Sequence, residues 1–256
     1  MPTITTQISV GGTAKQLSEY ENFTACRNGS GEAVGEVAAA DGLSAMNVGL
    51  HTVNTKDGGP PIQVVQSYSL LRYFMVFPII VPSDAVIKSA SLTLTSAGYT
   101  IDHTPNFLYY QQKSMLVAAS LGDETSVAAG DYDSINVSSM TAYCDSEGLL
   151  IASSIGVETY TQLNAAAVEE INNKKNQNFV MCLMERTHDY LNNGIASYQG
   201  LSGGAAEGRC LDGCHVAEQG ENGEPVLTLN FYSGGTVRLV QGLVKLQQGH
   251  VSMKVG

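Results

Sequence analysis

Hydrophobic positions along this chain fall mostly into short runs of period two, the spacing of a strand with one buried face. The clearest run is residues 84–95, where Ala90, Leu92 and Leu94 alternate with Ser89, Ser91, Thr93 and Thr95. Just before it, residues 69–77 (SLLRYFMVF) are rich in aromatic and branched side chains, as a buried strand requires. Further strands are predicted at residues 3–10, 45–53, 64–65, 114–119, 149–153, 179–185 and 225–232. One helix is predicted at residues 164–175, with Asn164 as its cap and Leu163, Val168 and Ile171 on one face. It should cover an end of the sandwich. Short strands with frequent turns define an all-β sandwich.

Glycine and proline set the connections. The first third is loop-rich, punctuated by Gly29, Gly31, Gly42, Gly58 and Gly59, and residues 192–224 read as an elaborated surface excursion. The main domain is expected over residues 1–233, followed by an appendix at 234–256 in which Gly235, Gly242, Gly249 and Gly256 recur every seven residues. Val237, Val244 and Val251 match one another, as do Leu239, Leu246 and Met253. A glycine in every unit would cost a helix about 1 kcal/mol each, and the apolar spacing is two, so the repeat predicts short strands. Such strands cannot build their own core and need partners, which makes these six apolar residues the expected oligomer contact. A homo-oligomer is expected, a trimer first.

Composition narrows the function. A chain of 256 residues with 43% apolar residues can bury a substantial core, and a net charge of −11 repels phosphate backbones and anionic membranes. No nucleic-acid or membrane partner is expected. The most apolar window, residues 73–81, is broken by Pro78 and too short to span a bilayer. No secretion signal is recognisable at the start, so folding in a cytoplasm is expected. The five cysteines (Cys26, Cys144, Cys182, Cys210, Cys214) are odd in number and scattered, and free thiols are expected.

The segment LRYFMVFPIIVPSDAVIKSASLTL (residues 71–94) resembles jelly-roll modules of the DNRLRE and carbohydrate-binding type. Those modules place an arginine-containing strand before the pattern Pro-x-x-Ala-x-Ile-x-Ser-Ala-x-Leu-x-Leu, positions occupied here by Pro82, Ala85, Ile87, Ser89, Ala90, Leu92 and Leu94. Later features keep the same order: Asp131 to Asp133, a strand leading to Leu163 and Asn164, the apolar strand at 179–184, and Val226 to Leu229. The resemblance covers residues 63–232. It implies a jelly-roll-like antiparallel β-sandwich and a non-enzymatic structural protein of a tailed-bacteriophage virion, assembled in the host cytoplasm. A capsid decoration or cement protein in contact with other virion proteins is the first expectation; a glycan-binding adhesin of a tail or fibre is the alternative. The chain has no tryptophan, so any sugar platform must use tyrosine.

Candidate chemistry is sparse. Cys210, Cys214 and His215 are metal-like ligand types, but no second Cys or His pair lies nearby in sequence, and a flexible loop with two free thiols, or a local disulfide, is expected. His188 and Asp189 follow a strand end, where polar residues belong without catalysis. Asp131 and Asp133, with Asp123 and Glu124, are oxygen ligands of the calcium type and equally turn formers. Tyr109, Tyr110, Tyr190 and Tyr198 offer flat faces for stacking. No phosphate-binding loop, dinucleotide fingerprint or hydrolase motif is present. Neither a catalytic residue nor a cofactor is expected.

Overall fold

The computed structural model describes residues 1–18, 23–35, 37–38, 44–56, 64–97, 107–109, 113–152, 154–193, 207–217 and 223–233. Its strands are β1 (Thr3–Gln7), β2 (Val10–Ser18), β3 (Ala33–Gly35), β4 (Val37–Ala38), β5 (Ser44–Lys56), β6 (Val64–Pro78), β7 (Ala85–Thr95), β8 (Phe107–Tyr109), β9 (Ser114–Ala118), β10 (Glu158–Gln162), β11 (Asn178–Glu185), β12 (Glu207–Ala217) and β13 (Val226–Ser233). Two helices accompany them, α1 (Phe23–Arg27) and α2 (Ala165–Asn173). The chain is mostly β. The appendix at 234–256, with Val237, Leu239, Val244, Leu246, Val251 and Met253, lies outside the described residues.

Four strands form one sheet in the order β1-β13-β7-β10, with every pairing antiparallel. The larger sheet runs β3-β2-β6-β5-β12-β8, with β11 and β9 continuing from β6. Its pairings are antiparallel except β12 with β8. Leu92, Leu94, Leu227 and Leu229 from the first sheet share one hydrophobic cluster with Leu70, Tyr73, Phe74, Met75, Phe77 and Met181 from the second. Period two on β7 buries Ala90, Leu92 and Leu94 as the sequence predicts, but the other face is not wholly wet, since Ser91 and Thr95 are buried as well.

Strand β6 is buried on both faces from Leu70 to Phe77, which explains why its sequence does not alternate. It is also forked. Along one edge it pairs β2 from Tyr68 to Val76. Along the other it pairs β5 from Val64 to Leu71, then changes partner and pairs β11 from Tyr73 to Pro78. Arg72 is the residue at the change.

Helix α2 forms where predicted, and the Asn164 side chain accepts from Ala167 N at 3.1 Å. Its position is an edge rather than an end. Strand β10 covers β7 only from Ser91 onward, and α2 takes over before that point. Asn172 replaces a strand there: its Oδ1 accepts from Ile87 N at 2.9 Å and its Nδ2 donates to Ile87 O at 3.0 Å. Lys175 Nζ donates to Ala85 O at 2.8 Å. A sheet edge left bare would template pairing with other chains, and side-chain amides close it.

Several expectations need correction. Of the strand expected at 149–153, the described residues 149–152 form none; Leu149 makes a single bridge to Ser114. The supposed excursion at 192–224 contains β12, so Cys210, Cys214 and His215 lie on a strand and not in a loop. The first third carries β1 to β5: the strands predicted at 3–10 and 45–53 fall on β1 and β5, while β2, β3 and β4 were not anticipated. Gly12 is required by packing, since a Cβ there would lie 2.8 Å from Val127 Cβ.

Candidate functional site

The strongest concentration of charge is internal. Arg72 donates to Asp189 twice, from Nε to Oδ2 at 2.8 Å and from Nη2 to Oδ1 at 2.7 Å. Its remaining donors reach Tyr132 O at 2.8 Å and Arg27 O at 3.0 Å, and its guanidinium lies 3.9 Å from the centroid of the Tyr132 ring. Arg27 completes the group, donating from Nε to Asp189 O at 2.6 Å and from Nη2 to Val137 O at 3.2 Å. Burial alone would lower the Arg72 pKa, but the adjoining Asp189 carboxylate raises it, so the cation is held. Each planar donor set is matched to fixed acceptors, the condition under which a buried ion pair is tolerated.

Asp189 reaches this position on a single wide turn, Arg186–Tyr190, closed by Leu191 N donating to Arg186 O at 2.9 Å. Glu185 caps it, accepting from Thr187 N at 2.6 Å, His188 N at 2.5 Å and Asp189 N at 3.1 Å. Burial pushes the Glu185 carboxyl upward, opposed by these three N–H groups. Cys26 is pushed up to about 12, first by burial and then by Asp189. Burial likewise raises the Cys182 thiol and the Tyr132 phenol. Such thiols are poor nucleophiles. Chemically the cluster ties α1, the 129–134 turn and the 186–190 turn to the fork; it offers no substrate a path.

The outward surface of the four-stranded sheet is different. Register places Thr5, Thr228, Ser91 and Gln162 in one row and Thr3, Asn230 and Ser89 in the next. Thr3 Oγ1 donates to Asn230 Oδ1 at 2.8 Å, and Asn230 Nδ2 donates to Ser89 Oγ at 3.1 Å. Tyr160, 64% exposed, donates to Gln162 Oε1 at 3.1 Å. Beside these rows a concavity of about 540 Å³ is lined by Lys88, Ser89, Gln162, Asn164, Asn172 and Asn173. Across α2 a second of about 520 Å³ is lined by Tyr143, Ser134, Asn136, Thr141, Glu169 and Glu170. Both mix hydroxyls and amides, able to donate and accept, with apolar side chains such as Leu163, Val168, Ile135 and Met140 and with the carboxylate of Glu169.

The residues singled out by sequence scatter. Asp189 is not a surface group after a strand end: it is fully buried and structural, whereas His188 is half-buried, 6.2 Å from the Phe23 ring between centroids. Asp131 accepts from Gly122 N at 3.2 Å and Ala128 N at 2.7 Å, and Glu124 accepts from Asn178 Nδ2 at 2.9 Å. Asp123 closes a turn on Thr125. These carboxylates serve as caps and cross-links. Among residues whose side chains are described, no group of three or more His, Cys, Asp or Glu is placed to hold a metal. Tyr190 packs against the core, while Tyr110 and Tyr198 lie outside the described residues. Tyr160 and Gln162, exposed on β10, were not singled out from the sequence, where residues 158–162 (ETYTQ) carry no apolar alternation.

Compared with protein-family models, with curated proteins and with solved structures, the chain matches none.

Proposed function

We propose that this protein is a non-enzymatic structural protein of a bacteriophage virion, a jelly-roll-like sandwich decorating or cementing the capsid through contacts with other virion proteins. The observation that carries the reading is the role of Arg72. The segment that resembles virion jelly-roll modules is distinguished by an arginine within an apolar strand, and that arginine is the residue that locks the fork in β6. The buried ionisable groups Arg27, Arg72, Asp131, Glu185 and Asp189 are likewise all engaged in holding segments together, as a scaffold's would be. A cryo-electron map of the native particle tests the reading: density for this chain at repeated capsid lattice positions is expected, and its absence from purified particles overturns it.

A second reading, a glycan-binding adhesin on a tail or fibre, is favoured by the exposed Tyr160, hydrogen-bonded to Gln162, and by the amides of Gln162, Asn164, Asn172 and Asn173 around the neighbouring concavity. Such groups pair with sugar hydroxyls, and tyrosine stacks on sugar rings. Retention on a glycan array that is lost in Tyr160→Ala would select this reading over the first.

A further inference from the structure

The four-stranded sheet ends on β10, and two hydrogen bonds fix which of its backbone groups are taken. Leu163 N donates to Ala90 O at 2.9 Å and Ser96 N donates to Val157 O at 3.0 Å, so the odd-numbered residues of this stretch bond inward to β7. In an antiparallel ladder the alternate residues bond to the other side. The N–H and C=O groups of Glu158, Tyr160 and Gln162 therefore point away from β7, and among the described residues no strand pairs with that side. The rest of the same edge is treated differently. Where β7 lacks a strand, Asn172 and Lys175 occupy its backbone groups. Strand β10 carries no proline, no lysine and no register shift, the devices that keep an edge from pairing.

The sequence of β10, ETYTQ, reads nearly the same in both directions about Tyr160. We infer that β10 pairs antiparallel with β10 of a second copy of this chain about a twofold axis at Tyr160, joining two four-stranded sheets into one continuous sheet. The backbone selects this register. Only residues 158, 160 and 162 can bond across the edge, and centring on Tyr160 engages all three, whereas any other centre loses at least one. The side chains agree: Tyr160 meets Tyr160, Thr159 meets Thr161, and Glu158 meets Gln162, so no like charges are opposed. Charge is complementary at the last pair. The Gln162 amide donates one N–H to Ala90 O at 2.7 Å and keeps the other for the partner subunit's Glu158 carboxylate.

The flanking turn fits as well. Val157 N donates to Ser154 O at 3.3 Å and Gly156 N to Ser96 O at 2.8 Å, which turns the chain back towards its own β7 instead of running it on into the other copy's α2. In the twofold register Val157 falls level with the partner subunit's Leu163, and the turn carries Ile155 to the same end. These two exposed apolar side chains thereby arrive beside the concavity of about 540 Å³ that Leu163, Ala165 and Val168 help to line. The contact occurs twice by symmetry. It rests on neither functional reading.

Engineered thiols in the full chain test the register. Directly opposed Cα atoms in such a pair lie about 5.5 Å apart, within disulfide reach, whereas residue 158 lies about 14 Å along the ladder from its own symmetry mate. Under a mild oxidant Tyr160→Cys should form a covalent dimer well above the background that the native cysteines set in wild type, and Glu158→Cys should not. The double variant Glu158→Cys, Gln162→Cys places thiols opposite one another and should crosslink again. In sedimentation, wild type should show a concentration-dependent association step that Tyr160→Lys, which sets two ammonium groups face to face, weakens at least about tenfold. Far-ultraviolet circular dichroism identifies any variant that fails to fold; should Tyr160→Cys be one, the double variant decides in its place. Crosslinking no greater than the wild-type background overturns the pairing. So does a Glu158→Cys dimer that forms as readily as the Tyr160→Cys dimer, or association untouched by Tyr160→Lys.

Discussion

Arg72 and Asp189 lie 117 residues apart in sequence and meet through two parallel hydrogen bonds, with side chains only 1% and 0% exposed. Asp189→Ala would leave a buried guanidinium without its counter-charge, at a cost of about 3–5 kcal/mol. The double variant Arg72→Met, Asp189→Leu removes both charges and should recover much of that loss. Urea unfolding of the three proteins measures both numbers; an Asp189→Ala midpoint equal to wild type would show that the pair holds nothing together.

Gly31 adopts a φ of +86°, and a Cβ there would lie 1.8 Å from Ala129 O. Gly31→Ala meets a backbone atom that has nowhere to go, in a conformation that L-residues avoid. Thermal unfolding should show a loss larger than Gly130→Ala, where a Cβ meets nothing within 4 Å.

Asn164 works in two directions. Its Oδ1 caps α2, while its Nδ2 donates to Ala142 O at 2.7 Å and Cys144 O at 3.2 Å. Aspartate and asparagine are equal as caps in isolation, so capping alone predicts a neutral Asn164→Asp. Here the new carboxylate would face two carbonyls, and Asn164→Asp should be less stable than Asn164→Ser, which costs about 1–2 kcal/mol for the lost donors. Denaturant midpoints give the order.

Alkali should unfold the protein earlier than surface charge would suggest. Cys26 is raised from 9.0 to about 12 and Tyr143 from 10.0 to about 12, both chiefly by burial. In that window the unfolded chain releases protons that the folded chain keeps, so stability falls as pH rises, by at most about 1.4 kcal/mol per pH unit for each group. Below pH 9 the contribution is complete. Cys26→Ala should flatten the decline between pH 9 and 12; an unchanged slope would remove the thiol from the account.

Deleting residues 235–256 should leave the sandwich folded but lower the oligomeric state or the occupancy on particles, since Val237, Leu239, Val244, Leu246, Val251 and Met253 are the expected shared contact. Sedimentation of truncated and full-length protein compares them. Identical behaviour would make the repeat a passive tail.

What the sequence made legible follows from what each residue's neighbours decide. Alternation on β7 and the cap at Asn164 are local signals, and both elements form as expected. Strand β12 was illegible because its glycines and charges read as a loop; pairing with β5 on one side and β8 on the other decides it. Asp189 looked like an ordinary polar residue after a strand because nothing nearby announces Arg72, and the wide turn that buries it depends on Glu185 binding three successive amides. The amide-lined groove beside α2 was hidden for the same reason: Gln162, Asn164 and Asn172 are unremarkable singly and converge only when α2 lies along β7.

The fork in β6 also sets a schedule for synthesis. On a chain made from its N-terminus, β2 and β5 are already available when β6 leaves the ribosome, but the partner of its second half is not. Pro78 waits 100 residues for Asn178, and Tyr73 waits 110 for Leu183. At translation rates of about 5–20 residues per second, that is several seconds or more during which one edge of Tyr73 to Phe77, five wholly buried side chains in the folded protein, stands open. Nascent chains should therefore be at their stickiest midway through translation, and chaperone capacity in the producing cell, more than the stability of the finished sandwich, should set the yield.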